Sequence, residues 1–171
     1  MTPFHDRFVE LYGRHSAHVQ RFLERLSGDP ALASDIVQDT FVRLHRRGDV
    51  PDEPAAWLIT VALNLLRNRK STEARRQRLL SSVRGEATLA DAARGPDESM
   101  DAADARRRVR RVLAKLPERD RQLLLMRAEG YRYHELASAL QLNPASVGVL
   151  LARAKRAFRA AYEEDGIADA P

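Results

Sequence analysis

The densest group of side chains suited to a chemical task lies between Trp57 and Arg78. Thr60, Asn64, Arg67 and Asn68 recur at three- and four-residue steps, which on a helix gathers a hydroxyl, two amides and a guanidinium on one face, and the ring of Trp57 joins them from the same helix. Amides hydrogen-bond base edges, rings stack on bases and cations neutralise phosphates, so the set suits unpaired nucleic acid. Arg67, Arg69, Lys70, Arg75, Arg76 and Arg78 make this the sharpest positive cluster of the chain, opposed only by Glu73. Taken singly, Trp57 reads more readily as a core anchor and Asn64 as a polar surface residue.

A second group lies near the C-terminus. Tyr133, Leu136, Ala137 and Leu140 form a short helical period, Gln141-Leu142-Asn143 a tight turn, and Asn143-Pro144 a cap for a last helix. That helix carries a core stripe of Val147, Leu150, Leu151, Ala154 and Phe158, with Arg153, Lys155, Arg156 and Arg159 in its second half. Short helix, turn and capped basic helix are the pattern of a helix-turn-helix, whose second helix enters the major groove. The plainer alternative is a helical hairpin with a solvated basic face.

Enzyme chemistry finds no footing. With no cysteine among 171 residues, disulfides, thiolate nucleophiles and Cys-based zinc sites are excluded. No Ser-His-Asp order, P-loop or glycine-rich phosphate cradle is present. His15 and His18 are one helical turn apart, but His15 lies on a core stripe and no third ligand follows at metal spacing, so no metal or cofactor is expected. The 29 Lys and Arg against 24 Asp and Glu give a net charge of +5, which favours a polyanionic partner, nucleic acid ahead of a membrane surface. Met1 to Glu10 lacks an apolar signal core and no apolar run is long enough to span a bilayer, so a cytoplasmic protein without a membrane segment is expected.

The elements that must position these groups are helical. Phe8, Leu11, Tyr12, His15, Val19, Phe22, Leu23 and Leu26 predict a long amphipathic helix, broken by Ser27-Gly28-Asp29-Pro30. Ala33, Ile36, Val37, Thr40, Phe41 and Leu44 predict a second helix to about Arg46, with Asp35, Gln38, Asp39 and Arg43 outward. Turn chemistry from Arg47 to Pro54 then leads into a third, with Trp57, Leu58, Val61, Ala62 and Leu65 inward. Between Gly85 and Asp104 acidic residues outnumber the single Arg94 around Gly95-Pro96, the composition of a linker. Val109, Val112, Leu113 and Leu116 restart the helical period, and Leu123, Leu124 and Leu125 follow Pro117 in a further helix closed by Glu129-Gly130. No window alternates with period two. The expected fold is all-α: two small helical domains joined by a flexible acidic linker, the second containing the helix-turn-helix.

The stretch from Ala33-Ser34-Asp35-Ile36-Val37-Gln38-Asp39-Thr40-Phe41 to Leu44, followed by Ala56-Trp57-Leu58-Ile59-Thr60-Val61-Ala62-Leu63-Asn64, resembles region two of the extracytoplasmic-function sigma factors of bacterial RNA polymerase. Leu116-Pro117-Glu118-Arg119-Asp120-Arg121, then Glu129-Gly130-Tyr131 to Ala137, then Ser146-Val147 to Arg153-Ala154, resembles region four of that family. The resemblance implies domains at 4–78 (region two) and 105–163 (region four), a linker at 79–104 and a tail at 164–171.

It also implies roles. Asp35, Gln38, Asp39 and Arg43 would dock on the clamp helices of the polymerase's largest subunit. Asp49 and Asp52, in the loop before the tryptophan helix, would join Trp57, Thr60, Asn64, Arg67, Asn68, Arg69 and Lys70 on the melted minus-ten strand. Tyr133, Ser146, Gly148, Val149, Ala152, Arg153, Lys155 and Arg156 would meet minus-thirty-five duplex. The acidic linker would follow the RNA path. Promoter DNA and core polymerase are thus the expected partners, an anti-sigma protein a further candidate, and the free chain is expected to be a monomer.

One departure stands out. At the groove-facing positions of the last helix, where many members carry basic or polar residues, this chain has Gly148, Val149 and Ala152, and only Arg153 keeps a charge. Thymine-methyl contact, groove-shape readout and phosphate anchoring remain open to it. Two rival readings stay beside the resemblance. A stand-alone helix-turn-helix regulator would have no need of the N-terminal module. A protein-interaction adaptor without base readout would tolerate neutralisation of Arg67, Arg69 and Lys70.

Overall fold

Proline and glycine set the helix boundaries in the N-terminal half. The computed structural model describes residues 3–81 and 100–168, and in the first of these segments α1 (Pro3–Ser27), α2 (Pro30–Arg47) and α3 (Pro54–Ser81) follow one another. Asp29 sits in an extended conformation and accepts the Leu32 N–H on its carboxylate at 3.0 Å, which caps α2, while Pro30 fills its first turn. Gly48 leaves α2 at φ 77°, a left-handed conformation that a side chain would oppose. The Glu53 carbonyl then accepts the Trp57 N–H at 2.9 Å and starts α3.

These three helices enclose one core, in which Phe22 and Leu23 of α1, Ile36 and Leu44 of α2, and Leu58, Ile59 and Leu63 of α3 are fully buried. The apolar face of α3 is wider than its sequence period suggested. Ile59, Leu63 and Leu66 are buried beside the expected Leu58, Ala62 and Leu65, because α3 packs on both α1 and α2. Trp57 and Val61, expected inward, are only half-buried. Tyr12 also departs from the expected stripe: its ring packs edge-on against Phe41 but is 47% exposed.

The second segment holds α4 (Met100–Lys115), α5 (Glu118–Ala128), α6 (Tyr133–Leu140), a 3-10 turn (Pro144–Ser146) and α7 (Val147–Ala168). Helices α5 and α6 stop in the same way. At each end the chain passes through a left-handed residue, Gly130 (φ 92°) and Gln141 (φ 53°), and the two N–H groups there bond back to orphan carbonyls. Tyr131 N–H reaches the Met126 carbonyl at 3.2 Å and Leu142 N–H the Ala137 carbonyl at 2.9 Å. Asn143 accepts the Ala145 N–H on its side chain at 3.0 Å, so the expected cap leads into the 3-10 turn before α7 begins. Val112, Leu123, Met126, Leu136, Val147 and Ala154 are fully buried, with α7 packed on α4, α5 and α6.

The chain thus divides into two helical units, residues 1–93 and 94–171, and among the described residues there is no strand. No described helix is long and apolar enough to cross a membrane. Most of the expected linker, 79–104, lies outside the described residues, but α3 continues to Ser81 and α4 already starts at Met100.

The expected tail, from 164 onward, is instead helical through Ala168. A buried carboxylate explains why. Asp165 is 7% exposed and accepts from Lys115 Nζ at 2.7 Å and from the Arg111 guanidinium at 3.0 Å. Arg108 donates to the Tyr162 carbonyl at 2.6 Å and lies over the Tyr162 ring at 3.9 Å. It passes so close to Gly166 that a Cβ there would collide with its guanidinium. The last turns of α7 are therefore fastened to α4.

The hydrogen bond from Lys115, then that from Arg111, hold the Asp165 carboxyl below its ordinary pKa of 3.8. A lowered folded-state pKa stabilises the fold above the unfolded value and loses that contribution as pH falls through the folded value. Asp165→Asn should therefore lower the unfolding temperature of the C-terminal domain at neutral pH. The gap to the wild type should narrow under acid, as followed by circular dichroism of the full chain.

Candidate nucleic-acid interface

The α3 register keeps Trp57, Thr60, Asn64, Arg67 and Asn68 on one side of an unbroken helix. Asn64, Arg67 and Asn68 are exposed, whereas Trp57 and Thr60 are half-buried. The Thr60 hydroxyl donates to the Ala56 carbonyl at 2.7 Å, so its hydrogen is already committed to the backbone. Arg67 donates to the Asn64 side-chain oxygen at 3.1 Å, which leaves the Asn64 amide nitrogen outward as a donor.

At the head of this stripe Asp49 is paired with Arg47, Nε to Oδ1 at 3.0 Å and an Nη to Oδ2 at 3.0 Å, a two-pronged contact. The same Arg47 guanidinium lies 5.8 Å from the Trp57 ring centre. Arg47 thus ties the loop carboxylate to the aromatic ring, a connection the sequence reading did not assign. Asp52 is exposed in the same loop.

Asp35, Gln38, Asp39 and Arg43 share the outer side of α2, opposite Ile36, Thr40, Phe41 and Leu44. In their midst Val42 is 45% exposed, an apolar side chain on a charged face. The charge pattern drew attention to its neighbours and away from it. Arg69 does not join the Asn64 stripe: its guanidinium bonds the Asp39 carboxylate at 2.9 Å. The structure therefore separates Arg69 from Asn64 and brings it to the α2 face. Lys70 is exposed beyond it.

In the second unit α6 and α7 form a helix-turn-helix, α6 and the Gln141 turn leading into α7. The outer side of α7 presents Val149, Ala152, Arg153 and Arg156, with Lys155 also exposed. Ser146 is exposed just ahead of α7, and Gly148 faces Tyr133, whose ring lies 3.7 Å from the position a Cβ would take. The Arg127 guanidinium lies over the same ring, 5.8 Å from its centre.

Known proteins share this layout. Residues 11–76 match the model of sigma-70 region 2 and residues 106–158 that of sigma-70 region 4. The RNA polymerase sigma factor CarQ of Myxococcus xanthus is 32% identical over 160 residues, spanning 90% of this chain and 86% of the relative. This chain belongs to the extracytoplasmic-function sigma factors. SigL of Mycobacterium tuberculosis, named as such a factor, is 31% identical over 162 residues, or 92% of this chain and 89% of its own. The fold agrees with solved structures at lower identity. The sigma factor RpoE, solved with the anti-sigma factor NepR of Bartonella quintana, superposes with a TM-score of 0.67 at 19% identity, over 95% of this chain and 98% of that one. CnrH, solved with the cytosolic domain of CnrY, gives 0.66 at 24%, over 92% and 88%.

Within this sigma factor one expected DNA contact has an internal partner. The Arg153 guanidinium bonds the Asp120 carboxylate at 3.1 Å, and that carboxylate is only 5% exposed while Arg153 is 57% exposed. Asp120, in the first turn of α5, thus anchors one of the cations on the outer side of α7. Nothing in the sequence could reveal this, since 33 positions separate the pair. Among the described residues no group of three His, Asp or Glu side chains is arranged for a metal, and His18 Nδ1 instead lies 2.9 Å from the Arg21 guanidinium.

Removing Arg153 would leave a buried carboxylate without its cation, whereas Arg156 is solvent-exposed. Arg153→Ala should destabilise the C-terminal domain by about 1–3 kcal/mol, and Arg156→Ala should shift it by no more than about 0.5 kcal/mol. Urea unfolding of the two variants checks both values.

Proposed function

We propose that this sigma factor binds core polymerase through the outer side of α2 and holds the melted minus-ten strand along α3. Its α6–α7 helix-turn-helix anchors on upstream duplex. The observation that carries this reading is the α3 stripe itself. Its half-buried tryptophan, outward amides and guanidinium run into a basic helical half where Arg75, Arg76 and Arg78 are all exposed. A regulator that binds only duplex has no use for that arrangement.

Each step draws on groups already in place. Asp35 and Gln38 offer an acidic and amide surface to the clamp helices of the polymerase's largest subunit, with Val42 as an apolar centre and Arg43 at its border. The Arg47–Asp49 pair shapes the loop that would receive an unstacked base next to Trp57. Asn64 and Asn68 present amides to base edges, and Arg67 and Lys70 offer charge to phosphates. Upstream, Lys155, Arg156 and Arg153 serve the duplex backbone. The chain performs no catalysis, since nucleotide addition belongs to the polymerase, and it works in the cytoplasm, where an anti-sigma protein is a candidate partner.

Reconstituted transcription tests the reading. Purified chain added to bacterial core polymerase on fragmented genomic DNA should give mapped starts that share an upstream motif and require the chain. If nothing specific starts, while the chain alone binds duplex with steep salt dependence, a stand-alone regulator replaces the sigma reading. On a mapped promoter, Asn64→Ala should lower opening, read by permanganate footprinting, at unchanged affinity for core. The double variant Asp35→Ala with Gln38→Ala should weaken core binding at least several-fold in a fluorescence titration, and normal affinity would move the interface elsewhere.

A further inference from the structure

The outward side of α7 contains an apolar surface where a duplex reader would ordinarily offer hydrogen-bonding side chains. Val149, in the first turn of the helix, is 71% exposed, the highest value of any large apolar side chain in the described structure. One exposed valine is unremarkable in itself. Here, however, Ala152 follows one turn later, and Gly148 leaves the ring of Tyr133, itself 50% exposed, uncovered beside it. The patch is bordered by charge, with Arg156 exposed two turns beyond Val149 on the same side of the helix.

Two polar side chains that could read bases near this turn are already engaged. The Arg153 guanidinium is held at 3.1 Å by the buried Asp120 carboxylate, which fixes its reach. The Asn143 side-chain oxygen accepts the Ala145 N–H at 3.0 Å. Beyond the Ser146 hydroxyl just ahead of the helix, the first turn of α7 offers hydrocarbon, and a basic border commits that hydrocarbon to a polyanion rather than to an apolar protein surface. In the major groove of duplex DNA the complementary apolar group is the C5-methyl of thymine.

We propose that Val149, supported by Ala152, selects the upstream element by contact with thymine methyl groups, with Arg153 fixed by Asp120 as the phosphate-side anchor of the same helix. The inference rests on the promoter-binding reading given above and adds to it the chemical feature that is read.

Replacing thymine by deoxyuridine removes only that methyl and leaves every hydrogen-bonding group of the base pair in place. Holoenzyme assembled from the full chain and bacterial core polymerase is titrated with duplex fragments of a mapped promoter, the upstream thymines replaced singly on each strand. At one or two positions deoxyuridine should weaken binding about fourfold, the loss expected for one buried methyl group. Val149→Ala should weaken binding to the thymine duplex by a similar factor and abolish the difference between thymine and deoxyuridine there. Sensitivity that persists in Val149→Ala, or equal binding of thymine and deoxyuridine duplexes at every position, would overturn methyl readout while leaving promoter binding intact. An upstream element without thymine would do the same. Loss of specific binding by the wild-type holoenzyme would overturn the promoter reading and the inference together.

Discussion

Each half of the chain closes a hydrophobic core from a few helices, and this requirement decides which faces remain for partners. In α3 the demand is heaviest, because Leu58, Ile59, Ala62, Leu63, Leu65 and Leu66 are all buried between α1 and α2. Up to Leu66 a helix so widely engaged keeps only a narrow outward stripe, and polar residues that could not be buried are found there. The packing of its neighbours sets the direction of Asn64, and the Arg67–Asn64 hydrogen bond joins the next turn to it. The same holds for α7, where Val147, Leu151 and Ala154 are buried and turn Val149, Ala152 and Arg153 outward.

Electrostatics is layered on this packing in two grades. Arg47–Asp49 and Arg69–Asp39 are exposed pairs, worth about 0–1 kcal/mol each, so they orient side chains without fixing them. Asp120 and Asp165 are different because their carboxylates are buried and must keep cations nearby. One fastens α7 to α5 through Arg153, the other fastens the end of α7 to α4 through Lys115 and Arg111. These two carboxylates thus act on α7, the helix that packs against every other helix of its domain. The placement of the outward side chains of α7 depends on that bracing, since loose support would move them together.

Local signals carried much of this architecture. Asp29-Pro30, Gly48 and Glu129-Gly130 read correctly as boundaries because capping and left-handed turns are matters of a few adjacent residues. The order of motifs likewise pointed to the sigma family without any tertiary contact. What escaped was non-local. The extra burial of Ile59, Leu63 and Leu66 depends on two packing partners rather than one. Residues 164–168 lack an apolar run and look like a tail, yet a carboxylate matched to cations some 50 positions earlier keeps them helical. Val42 was passed over because an apolar residue between charges suggests no chemistry until its exposure is known. Arg69 looked like part of a continuous basic tract until the rotation of α3 turned it toward Asp39.

That last displacement affects how the two proposed surfaces of the N-terminal domain relate. Asp39 belongs to the face assigned to the polymerase and Arg69 to the tract assigned to DNA, and they form one ion pair with side chains 46% and 49% exposed. A pair so open to water is weak enough for either member to exchange its partner at little cost. Arg69 carries its full charge whether or not it is paired, so on the proposed reading it can turn from Asp39 to a phosphate with no change of protonation. The ion pair therefore holds the two proposed surfaces side by side without locking either of them. Both side chains sit above the buried core of α2 and α3, so either can rotate at the surface without repacking it.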